Sequence, residues 1–310
     1  MKTAGLNRHI QKSPLLFFVI YLLLSWFTTI KMTNEGFLVQ PLSQLIYIDF
    51  VAIAFLAVWY LLTKLYVLSQ GYAKKIKGSR EQPAFLALSR GSLGLYVSLL
   101  LTAFLNSARI PSVNETVYKN LTIAVYYSAG LIALYFFYQF GRAGQIFAKY
   151  VNKSQAYYAG SFIFGLLLSI ICYYAWKRIT GVYADNIYNS NQILNYLSAK
   201  VVLYTLFLPL LVMWSYGLAG AFGIYLYLRH SGGIIYKRAF EWLSGGAVTL
   251  VIVSIFRHIS DYVSGSPSQL NLIQDFPRIV VLFSLVIFAS FAMFYGVSKL
   301  DTFERPPKKT

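Results

Sequence analysis

The chain has 310 residues, of which 57% are apolar and only 12% charged, against roughly 25% charged in an ordinary soluble domain. Its 26 Tyr and 24 Phe outnumber its 27 basic and 10 acidic residues together, which excludes a disordered polypeptide, and no soluble core of this size could hide so much apolar surface. The net charge of +17 would suggest nucleic acid in a soluble protein; here the basic residues fall between apolar stretches, so membrane topology accounts for them and no nucleic-acid partner is expected.

A bilayer core needs about 20 apolar residues per helix. Eight stretches qualify, at 14–30, 44–66, 88–108, 121–140, 157–176, 200–228, 242–263 and 277–299. The expectation is an all-α integral membrane protein, a single polytopic domain over 1–310 with about eight transmembrane helices. The first stretch follows a basic start (Lys2, Arg8, Lys12), as a signal peptide would. Ser25-Trp26-Phe27-Thr28-Thr29 is too bulky for a cleavage site, however, so it reads as a retained anchor.

The loops set the direction. Basic residues concentrate in the N-terminus, in 67–90 (Lys74, Lys75, Lys77, Arg80, Arg90), in 142–153 (Arg142, Lys149, Lys153), in 229–238 (Arg229, Lys237, Arg238) and in the tail (Lys299, Arg305, Lys308, Lys309). With eight spans all of these share one side, which then holds 19 of the 27 basic residues. Positive-inside bias places both termini in the cytoplasm and the chain in the cytoplasmic membrane. Lys74, Lys75 and Lys77 are expected to touch anionic headgroups there. The loop 177–199 suits either a short interfacial helix (Tyr183, Ile187, Leu194, Leu197) or a polar loop, and the ten residues after Leu300 leave no room for an output domain.

Small residues recur where outward-going helices begin: Ser89-Arg90-Gly91-Ser92, Ala159-Gly160-Ser161 and Ser244-Gly245-Gly246. They permit close helix approach, and either repeated hairpins or general membrane composition would produce them.

Polar residues within spans are costly, so their arrangement carries most of the functional information. In the seventh stretch Ser254, Arg257, His258 and Asp261 fall at i, i+3, i+4 and i+7, on one helix face. In the third, Ser98, Thr102, Asn106 and Arg109 do the same. Asp49 in the second stretch lies at a depth similar to Arg257, so the two could pair. These residues are the candidate lining of an outward-facing polar cavity bounded by the second, third and seventh helices. The competing reading is that Arg109, Asp261 and Arg278 snorkel into headgroups. Pro209, with Gly217 and Gly220, is a candidate hinge in the long sixth stretch, as in the broken helices of transporters.

No cofactor or metal is expected. The lone Cys172 excludes an intramolecular disulfide and Cys-based metal or redox sites. His9 and His230 lie on the cytoplasmic side, so no pair is available to ligate haem with His258. No lysine lies mid-span to carry a Schiff base, and there is neither an Asp-rich diphosphate motif nor His-Glu-x-x-His. Ser254, His258 and Asp261 share one helix and cannot readily form a linear catalytic relay. Asn114-Glu115-Thr116 and Asn120-Leu121-Thr122 match the short glycosylation acceptor pattern.

The segment Leu208-Pro209-Leu210-Leu211, Gly217-Leu218-Ala219-Gly220, Gly232-Gly233-Ile234-Ile235-Tyr236-Lys237-Arg238 and Leu243-Ser244-Gly245-Gly246 resembles uncharacterised multi-pass proteins of Saccharibacteria-type bacteria. That resemblance covers about a sixth of the chain, implies a bacterial cytoplasmic membrane and implies no activity. The leading functional expectation is a transporter-like protein for a small polar or anionic solute. The alternatives are a sensor or assembly subunit acting through a membrane partner and, with no paired catalytic groups to support it, a membrane enzyme.

Overall fold

The computed structural model describes residues 2–34, 41–107, 115–149, 208–230, 234–263 and 272–303, with isolated positions between 159 and 205. Among them are seven helices: α1 (Lys2–Asn34), α2 (Pro41–Lys75), α3 (Gln82–Ser107), α4 (Glu115–Ala148), α5 (Leu208–His230), α6 (Ile234–Val263) and α7 (Leu272–Phe303). Five of these hold an apolar window long enough to cross a bilayer: His9–Lys31, Ile48–Lys75, Gln82–Leu101, Leu208–Tyr225 and Val280–Leu300. The chain is a multi-pass helical membrane protein, as its composition requires. The expected fifth span, 157–176, and the loop 177–199 lie outside the described residues apart from isolated positions; Phe162 meets Tyr216 of α5 edge-on, with ring centroids 6.4 Å apart.

In sequence order, α2, α3, α4, α5, α6 and α7 each pack against the next, and α7 returns to pack against α2. The six therefore form a closed ring. Helix α1 stays outside it, against α2 and the edge of α3. Its face away from the ring carries Leu15, Leu16, Leu23 and Phe27, each at least 60% exposed, as a lipid-facing helix should.

Glycine sets the spacing of the ring. Gly141 and Gly144 on α4 oppose Gly220 and Gly223 on α5 so closely that a Cβ on Gly144 would overlap the Gly220 backbone. A Cβ on Gly220 would come within 2.7 Å of Gly141 Cα. In the α6–α7 pair, a Cβ on Gly246 would lie 2.7 Å from the Ala289 carbonyl oxygen. Lipid tails are as apolar as leucine, so backbone proximity and dense packing supply the association that water would otherwise drive.

Serine hydroxyls reinforce these contacts. Ser98 Oγ donates to the Ala129 carbonyl on α4 at 2.8 Å, and Ser89 Oγ to the Tyr66 carbonyl on α2 at 3.2 Å. The α2–α3 turn is fixed by Gly78 at φ 85°, a left-handed conformation that favours glycine, and by a reciprocal cap. In that cap the Gln82 N–H donates to Ser79 Oγ while Gln82 Oε1 accepts from the Gly78 N–H.

Gly144→Ala and Gly220→Ala should each destabilise the protein by about 1–3 kcal/mol through overpacking. Gly245→Ala, where a Cβ would meet nothing within 4 Å, should leave stability unchanged or slightly raised. Thermal unfolding of the three variants in one detergent checks this.

Candidate functional site

The six described helices of the ring surround a common centre. Toward the basic end, side chains fill it. Tyr72 of α2, Phe85 of α3, Phe147 of α4, Tyr227 of α5 and Phe240 of α6 meet there, with ring centroids 4.6 Å apart for Tyr72–Phe85, 5.3 Å for Phe147–Phe240 and 5.1 Å for Phe147–Tyr227. Phe85 and Phe240, on helices at opposite points of the ring, come within 6.4 Å. Tyr227 OH donates to Glu81 Oε1 at 2.9 Å, tying the cluster to the α2–α3 turn. Edge-to-face aromatic pairs add about 0.5–1.5 kcal/mol each beyond area burial. Five helices thus share one plug.

The sequence-expected cavity residues divide around this frame. On α6, buried Phe240, Leu243, Ala247 and Leu250 form a core stripe with the spacing i, i+3, i+7, i+10. Ser254, Arg257, His258 and Asp261 continue that spacing at positions whose side chains lie outside the described residues. On α3, Thr102 and Asn106 are in register with core-facing Leu88 and Leu95, and their side chains too lie outside the described set, as does Arg109 entirely. Ser98 is described, buried and bonded to Ala129 of α4.

Asp49 is placed differently. Its carboxylate accepts a hydrogen bond from Trp26 Nε1 of α1 at 2.8 Å, on the outer side of α2. Helices α2 and α6 are separated in the ring by α7, so the described partner of Asp49 comes from α1. A second bond, 2.7 Å between Ser13 Oγ and Tyr96 OH, joins α1 to α3. Two polar clasps therefore hold the peripheral helix. Neither was legible from depth alone, because a depth estimate says nothing about azimuth around the helix.

The hinge candidates also acquire local roles. Pro209 lacks the N–H that would bond the Thr205 carbonyl, and the backbone widens to a π-type turn at Thr205. Gly217 and Gly220 serve close packing: a Cβ on Gly217 would lie 3.2 Å from Phe137 and 3.4 Å from Val251. Lys64 lies inside the apolar window Ile48–Lys75 of α2, with Nζ 5.2 Å from the centroid of the Tyr60 ring. Among the described residues no three His, Cys, Asp or Glu gather as metal ligands.

These features define a class, a multi-pass helical membrane protein whose described residues include a ring of six helices plugged by aromatic side chains at one end. No protein-family model, curated protein or solved structure matches the chain.

If the Trp26–Asp49 bond fastens α1, Trp26→Phe and Asp49→Asn should each lower stability by about 0.5–2 kcal/mol, and their double mutant should lose less than the sum. A double-mutant cycle by thermal unfolding, with coupling above about 0.5 kcal/mol, is the expected result.

Proposed function

We propose that the chain is a transporter-like membrane protein that binds or moves a small polar or anionic solute in the centre of its helix ring. The solute enters from the face opposite the basic rim. One observation carries this reading: the centre is filled by aromatic side chains at the basic end, while the core-facing registers of α3 and α6 turn polar toward the other end. A chamber at these registers, offering Thr102, Asn106, Ser254, His258 and Asp261 with Arg257 beside them in sequence, would suit a hydrogen-bonding solute. Arg257 supplies the positive charge that would select an anion. Asp49, engaged by Trp26, supports α1 and stands outside the chamber.

The basic rim faces the cytoplasm in this reading, with both termini on that side and the plug closing the inner end. Tags at either terminus should be labelled only after the cells are permeabilised. Labelling in intact cells would overturn the orientation.

The chamber is tested by ligand-induced thermal shifts of the purified protein across small carboxylates, phosphates and sugars. A solute present at 100 times its Kd should stabilise the protein by about 2.7 kcal/mol. The stabilisation should disappear in Arg257→Gln and persist in Trp26→Phe. In proteoliposomes, the double variant Phe85→Ala/Phe147→Ala should leak the same solute, because it removes two of the five plug side chains.

A further inference from the structure

On the outer surface of the ring, the groove between α3 and α4 carries two exposed arginines, Arg90 and Arg142. Among the described residues neither guanidinium meets a carboxylate; Glu81, the nearby acidic side chain in the α2–α3 turn, is engaged by Tyr227. The helices approach closely here. A Cβ on Gly91 would lie 3.4 Å from Gln139 Cβ, and one on Gly94 would lie 3.1 Å from Tyr135. Taking the Gly91–Gln139 contact as a common level, Arg90 is one residue nearer the basic end and Arg142 three residues nearer. At 1.5 Å per residue their heights differ by about 3 Å. Two exposed cations thus sit at similar heights on adjacent, closely packed helices, a placement that one shared anion would satisfy.

Gln139 lies in the same interface, 4% exposed, with Oε1 unpartnered. Toward the opposite membrane face the groove becomes apolar. Leu101 lies eleven residues beyond Arg90 on α3, and Tyr135 and Leu131 lie seven and eleven residues from Arg142 on α4, each at spacings that keep one helix face. Leu131 is 60% exposed. A charged head above an apolar track is the shape of a lipid.

We infer that this groove binds one phospholipid with an anionic headgroup. Its phosphate oxygens bridge Arg90 and Arg142, and an acyl chain lies along Gly94, Tyr135 and Leu131. The planar guanidinium fork matches phosphate geometry, which favours arginine over the rim lysines for a defined site. The inference rests on the protein spanning a membrane and is independent of the solute chamber.

The test uses the full chain in a mild non-ionic detergent, with native mass spectrometry after addition of phosphatidylglycerol or phosphatidylcholine of identical acyl chains. Wild type should retain phosphatidylglycerol in preference to phosphatidylcholine. Arg90→Gln/Arg142→Gln should weaken that retention roughly 30-fold, about fivefold per arginine. Lys74→Gln/Lys75→Gln/Lys77→Gln should keep it. Should the arginine double variant fail to yield folded protein, the two single variants carry the test, each with about a fivefold loss. Equal retention of both lipids by wild type, wild-type retention by the arginine variants, or an equally strong loss in the lysine variant would overturn the site. Loss of solute binding alone would bear only on the chamber.

Discussion

A ring of six helices must fill its own middle. Wherever helices surround a common centre, side chains must supply the packing there, because a void forfeits the contacts of the atoms that line it. At the basic end the chain meets this constraint with five aromatic side chains, each sent from a different helix. Phe85 and Phe147 are fully buried there, although much of the chain's remaining aromatic surface faces outward. The neighbouring turn is tied to this cluster. The α2–α3 turn is capped on both sides, and Glu81 reaches across to Tyr227.

The same constraint explains the glycines. Rings can meet in the middle only if the helix backbones stand close, and α4 and α5 stand closest, with Gly144 against Gly220. Hydroxyls near these seams donate to carbonyls of their own helix or the next one: Ser92 to Leu88, Ser215 to Leu211 and Ser98 to Ala129. A buried hydroxyl left without a partner in such surroundings costs about 1–3 kcal/mol. Four buried polar atoms nevertheless have none among the described residues: Trp59 Nε1, Ser69 Oγ, Gln139 Oε1 and Ser290 Oγ.

The sequence makes the helical membrane class legible because hydropathy averaged over twenty residues is insensitive to detail. Partners are harder to read. Asp49 and Trp26 are 23 residues apart, on different helices, and nothing in either local pattern points to the other. The aromatic cluster is hidden for a different reason: 50 Tyr and Phe residues offer too many candidates, and only the topology selects five. The polar stripes on α3 and α6 are a reading of the sequence, resting on the azimuth that a period of 3.6 carries; the side chains of Thr102, Asn106, Ser254, Arg257, His258 and Asp261 lie outside the described residues. Arg90 and Arg142 read from the sequence as loop charges that orient the chain; their shared groove emerges only when Gly91 is set against Gln139.

Closing the ring through α7 and α2 has a consequence for synthesis. Phe55 of α2 meets Phe283 of α7 with ring centroids 5.2 Å apart, a contact spanning most of the chain. Until α7 leaves the ribosome, α2 presents an unsealed flank, and the nascent protein is an open arc of helices. Translation at about 5–20 residues per second leaves that arc waiting on the order of ten seconds or more after α2 emerges. During this interval Trp59 and Phe55, stacked at 5.2 Å, already have Tyr21 of α1 to pack against. Helix α1, peripheral in the finished molecule, thus covers one flank of α2 before the other can be sealed.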